Sequence, residues 1–263
     1  MRVTGTEMAE AKSQGSAARL DEAQLPKEVR NSSMTGEKLL REYEHQVRNT
    51  APLLQQLRLL PGTKALEFGS AFGASAFMLA KMGFVVTGVD VNPKRVCVAQ
   101  ANAQTLFPEL PVNFLPISNG LPFADQSFDF VSANSVLEYV EAPKLMAVCH
   151  DLDRVLKPGG VLFIGGTSNR LMPREAHSYR WFVNYLPTDR WQQGLWPWRL
   201  RMAFPGYRDL IAESKGQLFL EAKRIAGRRL LIYRGVNLVA RCLGTSIGAL
   251  MPSICYLLQK GQQ

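Results

Sequence analysis

Glu67 and Asp90 each stand at the end of an apolar run, and between them lies the turn Gly69-Ser70-Ala71-Phe72-Gly73. A turn rich in small residues lets the backbone approach a ligand closely and lets a strand bend sharply into a helix. An aspartate placed like Asp90, with Val91 beside it, can accept hydrogen bonds from ribose hydroxyls. A second set of reactive groups lies further on, in the stretch 169–177. There His177 titrates in the range needed to remove a proton near neutrality, and Glu175 stands two residues away, able to orient it if the loop turns favourably. His45 and His150 fall on expected helices away from this region.

The elements that must position these groups follow from pattern. Residues 64–90 read as strand, turn, helix, strand, which is a βαβ unit of the kind that binds nucleosides. Residues 111–116 read as the next strand, followed by Ile117, Ser118 and Asn119. Phe128-Asp129-Phe130-Val131-Ser132 is a short apolar run after a turn, as expected of a buried parallel strand. It places Asn134 at the carboxyl end, where open α/β sheets bind ligands. Residues 142–156 carry apolar side chains at helical spacing, and Lys157-Pro158-Gly159-Gly160 reads as a helix stop before a strand at 161–164. Near the start, Leu39, Leu40, Tyr43, Val47, Leu53, Leu54 and Leu57 predict two helices broken at Thr50-Ala51-Pro52.

Four blocks in one order, residues 66–73, 86–90, 121–140 and 151–164, are more specific together than any glycine pair alone. On them the chain resembles the class I S-adenosylmethionine-dependent methyltransferases, in the broad group that includes quinone-biosynthesis enzymes. The likeness covers about residues 43–169. Its glycine pattern, an acidic residue followed by three alternating glycines, falls on Glu67, Gly69 and Gly73, with Ala71 in the middle place. A dinucleotide fingerprint begun at Gly69 would meet Ala71 and Ala74 where glycines or close substitutes are needed. Glu67 also suits a ligand with an α-ammonium group and would repel a pyrophosphate.

The resemblance implies a Rossmann-like doubly wound sheet of about seven strands, mostly parallel with an antiparallel last strand, and helices on both faces. It implies S-adenosyl-L-methionine as cofactor, held by Glu67, Gly69, Ser70, Ala71, Gly73, Asp90, Val91 and Asn134. The family aspartate that meets the adenine amino group is replaced by Ile117, so Ser118, Asn119 or backbone groups are expected to read that edge. In this fold the last strand lies between the fifth and sixth. Residues 216–224 are therefore assigned as the sixth strand, 228–250 as a basic amphipathic helix and 253–259 as the last strand. The uncharged run 242–259 is then a buried strand and its approach, too rich in Gly, Ser, Thr and Pro for a membrane span.

The chain has 263 residues and 46% hydrophobic content, enough to bury one doubly wound core. Residues 1–33 are polar with no apolar core segment, which predicts a mostly disordered extension and neither a signal peptide nor a span. Cap helices are expected over 34–60, the cofactor-binding core over 61–166 and the acceptor region over 167–263. Four widely spaced cysteines with three histidines argue against a metal site and for a reduced, cytoplasmic setting.

Charge divides sharply. Residues 1–166 carry 16 Lys and Arg against 17 Asp and Glu, whereas residues 167–263 carry 15 against 5 and every tryptophan. Arg with Trp suits an anionic or lipid-like small-molecule acceptor or peripheral contact with a membrane, or else is a solvated basic face over a Trp-lined core. Nucleic acid is disfavoured because no RNA- or DNA-binding module is recognisable. The sequence points to O-methylation. Two rivals stay open: an NAD(P)-dependent oxidoreductase, and a non-catalytic cofactor-binding or membrane-associated scaffold.

Overall fold

The computed structural model describes residues 36–186 and 194–262, so the expected extension at 1–33 and Trp191 lie outside the described residues. Helix α1 (Glu37–Asn49) buries Leu39 and rests Tyr43 and Val47, at i+4 and i+8, against the core. It gives way at Thr50 to the short α2 (Ala51–Leu54), which carries Pro52 in its first turn where no backbone donor is needed. The break expected at Thr50-Ala51-Pro52 is therefore present.

The alternating region follows as β1 (Lys64–Phe68), α3 (Ala74–Lys81), β2 (Val85–Asp90), α4 (Pro93–Leu106), β3 (Val112–Pro116), β4 (Phe128–Asn134), α5 (Leu145–Val155) and β5 (Leu156–Ser168). Then come α6 (Pro197–Met202), β6 (Arg208–Asp209), α7 (Leu210–Glu213), α8 (Gln217–Ala222), α9 (Gly227–Cys242) and β7 (Ser253–Gln259). The strands form one seven-stranded sheet in the order β3-β2-β1-β4-β5-β7-β6. Pairings from β3 through β5 are parallel, and β7 runs antiparallel to both β5 and β6. Two apolar clusters, one around Phe77, Phe84 and Phe130 and the other around Leu66, Leu152 and Ile164, make up the buried core. Strand order reverses between β1 and β4, so the carboxyl ends of those strands open a crevice at the switch point.

Several elements differ from expectation. The expected strand at 216–224 is instead built around helix α8 (Gln217–Ala222). Gln-Leu-Phe-Leu-Glu-Ala offers no period of two, its residues are mostly good helix formers, and Phe219 and Ala222 bury one helical face. The sixth strand is only Arg208–Asp209, and it ends where Asp209 turns its side chain to cap α7, accepting from the amides of Ile211 at 3.0 Å and Ala212 at 3.2 Å. The helix expected over 228–250 stops at Cys242. Gly244 takes φ 67°, its amide donates to Arg241 and that of Thr245 donates to Ala240, which closes the helix in a Schellman turn. Likewise residues 157–160, expected as a helix stop, already belong to β5, since α5 ends at Val155; the Gly159 amide donates to the Lys260 carbonyl.

The Arg of the 151–164 block has a clear structural task. Arg154 donates to the carbonyls of Leu121 (3.0 Å) and Phe123 (2.7 Å) and to the carboxylates of Asp125 (2.9 Å) and Asp151 (3.1 Å). One guanidinium thus clamps the loop that leads into β4. Arg154→Ala strands two carbonyls and is expected to cost about 2–3 kcal/mol, lowering Tm by roughly 5–10 °C in scanning calorimetry.

Candidate active site

The glycine turn sits at the carboxyl ends of β1 and β2. Gly73 takes φ 103° at the amino end of α3, and a Cβ there would press on Phe77 and Phe114. At Gly69, with φ 75°, a Cβ would lie 2.2 Å from Val136, so the loop after β4 rests directly on this bare backbone. Gly88 on β2 is equally hemmed in, by Phe114 and Ser70. Ala71 holds φ 46°, the left-handed conformation a glycine would take without strain; for Ala it costs on the order of 1 kcal/mol. The turn is held in this shape by Asp90, whose Oδ2 accepts from the Ala71 amide at 3.0 Å while Oδ1 accepts from the Asn92 amide at 2.8 Å. Each carboxylate oxygen retains a further lone pair for another donor.

Glu67 is almost fully buried at the tip of β1. Burial pushes its carboxyl up to about 8, and Ser132 on the neighbouring strand offsets only part of this. Its Oε2 has no hydrogen-bond partner, nor does the buried Oγ of Ser70 beside it. Two orphaned polar atoms next to a turn that excludes side chains form a cradle suited to a polar, cationic ligand group. Val91, Ser118 and Asn119 are exposed around the same strand ends, and Ile117 is half-buried with its amide bonded to the Asp90 carbonyl.

Asn134 links this cradle to a neighbouring hollow. Its Nδ2 donates to Ser75 Oγ (3.1 Å) in the first turn of α3 and to Gln46 Oε1 (2.8 Å) on α1. Asn134 also lines a cavity of about 720 Å³ between α1, the ends of β4 and β5, and the segment joining α8 to α9. Phe163, Phe219 and Ile225 give the cavity apolar walls, while Lys223, Arg224 and Arg229 supply positive charge.

His177 lies past β5, and its imidazole meets Glu138 rather than Glu175: Nε2 lies 2.8 Å from Glu138 Oε1. Glu175 spends its carboxylate on the amides of His177 and Ser178. Burial opposes the charge on Glu175, yet hydrogen bonds from Ser168, Ser178 and His177 outweigh burial and hold its carboxyl down to about 2. Glu175 thus fixes the loop backbone, and Glu138 orients the ring. Glu138, buried in the one-turn 3-10 helix Leu137–Tyr139, was absent from the sequence reading. Its signal was a lone acid inside the apolar run Val136-Leu137-Glu138-Tyr139-Val140.

The hydrogen bond that the His177 ring donates to Glu138 raises its pKa against the opposing effect of burial. Since the folded value lies above the ordinary 6.5, this pairing stabilises the fold fully below about pH 6.5 and ceases to as pH climbs through the raised value. Glu138→Gln is expected to bring the His177 pKa back down toward 6.5, read from imidazole NMR shifts across pH 5–9; an unchanged titration would count against the pairing.

Two arginines of the basic half pack against its aromatic side chains. Arg170 lies 5.5 Å over Trp196, which stacks on Trp198 at 4.6 Å, and Arg174 faces Tyr179 at 5.0 Å and Trp181 at 5.9 Å. This favours the structural account of these pairs over a ready-made anion site.

The crevice at the switch point, the glycine turn and the two acids near the strand ends are arranged as in class I methyltransferase-type domains. Residues 66–164 match the family described as "Methyltransferase domain". The chain is 36% identical over 114 residues to the ubiquinone biosynthesis O-methyltransferase of Paramagnetospirillum magneticum, covering 43% of this chain and 44% of that one. It is 33% identical over 135 residues to the demethylmenaquinone methyltransferase of Tropheryma whipplei, 50% of this chain and 53% of that protein. The chain spans about half the length of these curated relatives. The solved cyclase SpnF shares the fold at a TM-score of 0.50 and 20% identity, over 89% of this chain and 84% of that one. The cofactor that suits the family and the cradle alike is S-adenosylmethionine, whose α-ammonium matches the orphaned Glu67 and whose ribose matches Asp90.

Proposed function

We propose that the protein is an S-adenosylmethionine-dependent O-methyltransferase acting on a small, amphiphilic acceptor with an anionic group. The observation that carries the cofactor half is Glu67, buried, unpartnered at Oε2 and raised to about 8 beside the bare glycine turn. The acceptor half rests on the 720 Å³ cavity next door, with aromatic and aliphatic walls and the cations Lys223, Arg224 and Arg229. Relatives named for quinone methylation support a ring-bearing, lipid-like acceptor.

When bound, S-adenosylmethionine would supply a methyl group on a sulfonium, to which an oxygen nucleophile bonds as the neutral thioether leaves. The chain's own work is binding, orientation and proton handling. Gly69 and Gly73 let the turn close tightly against Val136, Phe77 and Phe114 at the cofactor site, Asp90 accepts from ribose hydroxyls, and Glu67 with Ser70 meets the ammonium end. Asn134 holds α1 and α3 together at the junction of cradle and cavity. The His177–Glu138 pair accepts the proton of the acceptor hydroxyl, since Glu138 stabilises the charged ring once it forms.

Calorimetric titration with S-adenosylmethionine, S-adenosylhomocysteine and NAD(H) tests the reading. Binding of the first two alone, followed by methyl transfer to anionic phenols or hydroxyquinones, is the expected result. Preference for NAD(H) would replace it with an oxidoreductase, and binding without turnover of any acceptor would favour the scaffold.

A further inference from the structure

Helix α9 presents an apolar stripe to solvent. Leu231 (68% exposed), Ile232 (64%), Leu238 (59%), Val239 (53%) and Leu243 (67%) lie on its outer side. At 100° per residue they fall together with Gly235 and Cys242 along one face, at spacings of three and four. The opposite face is the packed one: Asn237 and Ala240 are buried, and Tyr233 and Val236 rest on the core. Asn237 Nδ2 donates to the Lys215 carbonyl at 2.7 Å, which fixes the rotation of the helix and so the direction of the stripe. A core-facing surface helix normally turns polar residues outward, so an outward apolar stripe about 18 Å long calls for a partner.

Charge identifies that partner. Arg234 and Arg241 flank the stripe on one side, Arg229 on the other, and Arg228 stands at its amino end. All four arginines are exposed, and among the described residues none has an acidic partner. Residues 223–263 contain seven Lys and Arg and no Asp or Glu. No helix among the described residues is long and apolar enough to cross a membrane, so the stripe does not belong to a span.

We propose that α9 docks in the plane of a membrane surface that carries anionic lipid. Its Leu, Ile and Val side chains enter the acyl boundary and its arginines meet lipid phosphates. The amino-terminal turns of the same helix, through Arg229 and Tyr233, line the 720 Å³ cavity. Resting on the acceptor reading above, this places the cavity beside the lipid surface, where an amphiphilic acceptor resides. The docking itself does not depend on that reading.

The full chain is mixed with vesicles of phosphatidylcholine alone or with 30% phosphatidylglycerol, and the bound fraction is measured by sedimentation at 50 and 500 mM salt. Binding to the anionic vesicles is expected to exceed binding to the neutral ones by about tenfold or more and to fall at high salt. Leu238→Gln with Val239→Gln, and separately Arg234→Gln with Arg241→Gln, should each lower it about tenfold. All four positions are exposed, so Tm and S-adenosylmethionine titration should match the parent and show that fold and cofactor site are intact. Equal binding by parent and variants, or no vesicle binding by the parent, overturns the proposal. A dimer in size-exclusion chromatography that Leu238→Gln dissociates, without vesicle binding, assigns the stripe to a second copy instead.

Discussion

Asp90→Asn is expected to weaken S-adenosylmethionine binding about 100-fold or more, with methyl transfer falling alongside. The carboxylate already accepts from Ala71 and Asn92 and has one further lone pair per oxygen to offer a ribose. Asparagine keeps one acceptor oxygen and turns an NH2 group toward a backbone donor. The bound state loses a charge-assisted hydrogen bond and the empty turn loses an anchor, together about 3 kcal/mol. Calorimetric titration gives the affinity, and the Ala71 and Asn92 amide shifts report the turn. Unaltered affinity with displaced amide shifts would show that Asp90 shapes the loop without touching ligand.

The second large effect concerns Glu67. Its folded value of about 8 stands above the ordinary 4.5. Between those limits the folded protein holds a proton that the unfolded chain has released, so stability in the absence of ligand declines as pH rises from about 4.5 to 8. Glu67→Gln cannot ionise, so its stability should fall less than the parent's through that window and exceed the parent's at pH 8–9 by a few kcal/mol. Bound ammonium reverses the preference by stabilising the carboxylate, so S-adenosylmethionine should expel close to one proton per molecule bound at pH 7. Titrations in two buffers of different ionisation enthalpy measure that proton. Release of the same amount by Glu67→Gln would assign it elsewhere, and a parent whose stability rises over pH 5–8 would contradict the burial argument itself.

What the sequence disclosed depended on how local the signal was. The βαβ unit, the strand carrying Asn134 and the final strand at 253–259 each have their period, turn and terminus within a few residues. The sheet order came with the family resemblance, not with any pattern in the residues. The sixth strand escaped because two residues carry no period; β6 exists only through pairing to Gln259 and Leu258, far along the chain. The partner of His177 escaped for the same reason, since Glu138 stands 39 positions earlier and is brought to the ring only when β4 and β5 align. Glu175 was the nearest acid in sequence, but a short loop turned it toward its own backbone.

The placement of β7 has a bearing on how the molecule assembles. Its residues come after all the other strands in the chain, yet it lies between β5 and β6 and pairs with Val161 through Ile164 along one side and Arg208 and Asp209 along the other. Until residues 253–259 arrive, β5 keeps a bare hydrogen-bonding edge of Val, Leu, Phe and Ile, which is a template for pairing with any other exposed strand. During synthesis that edge waits while some ninety residues are added, so the nascent chain passes through a stage open to aggregation that only its own late-arriving strand can close.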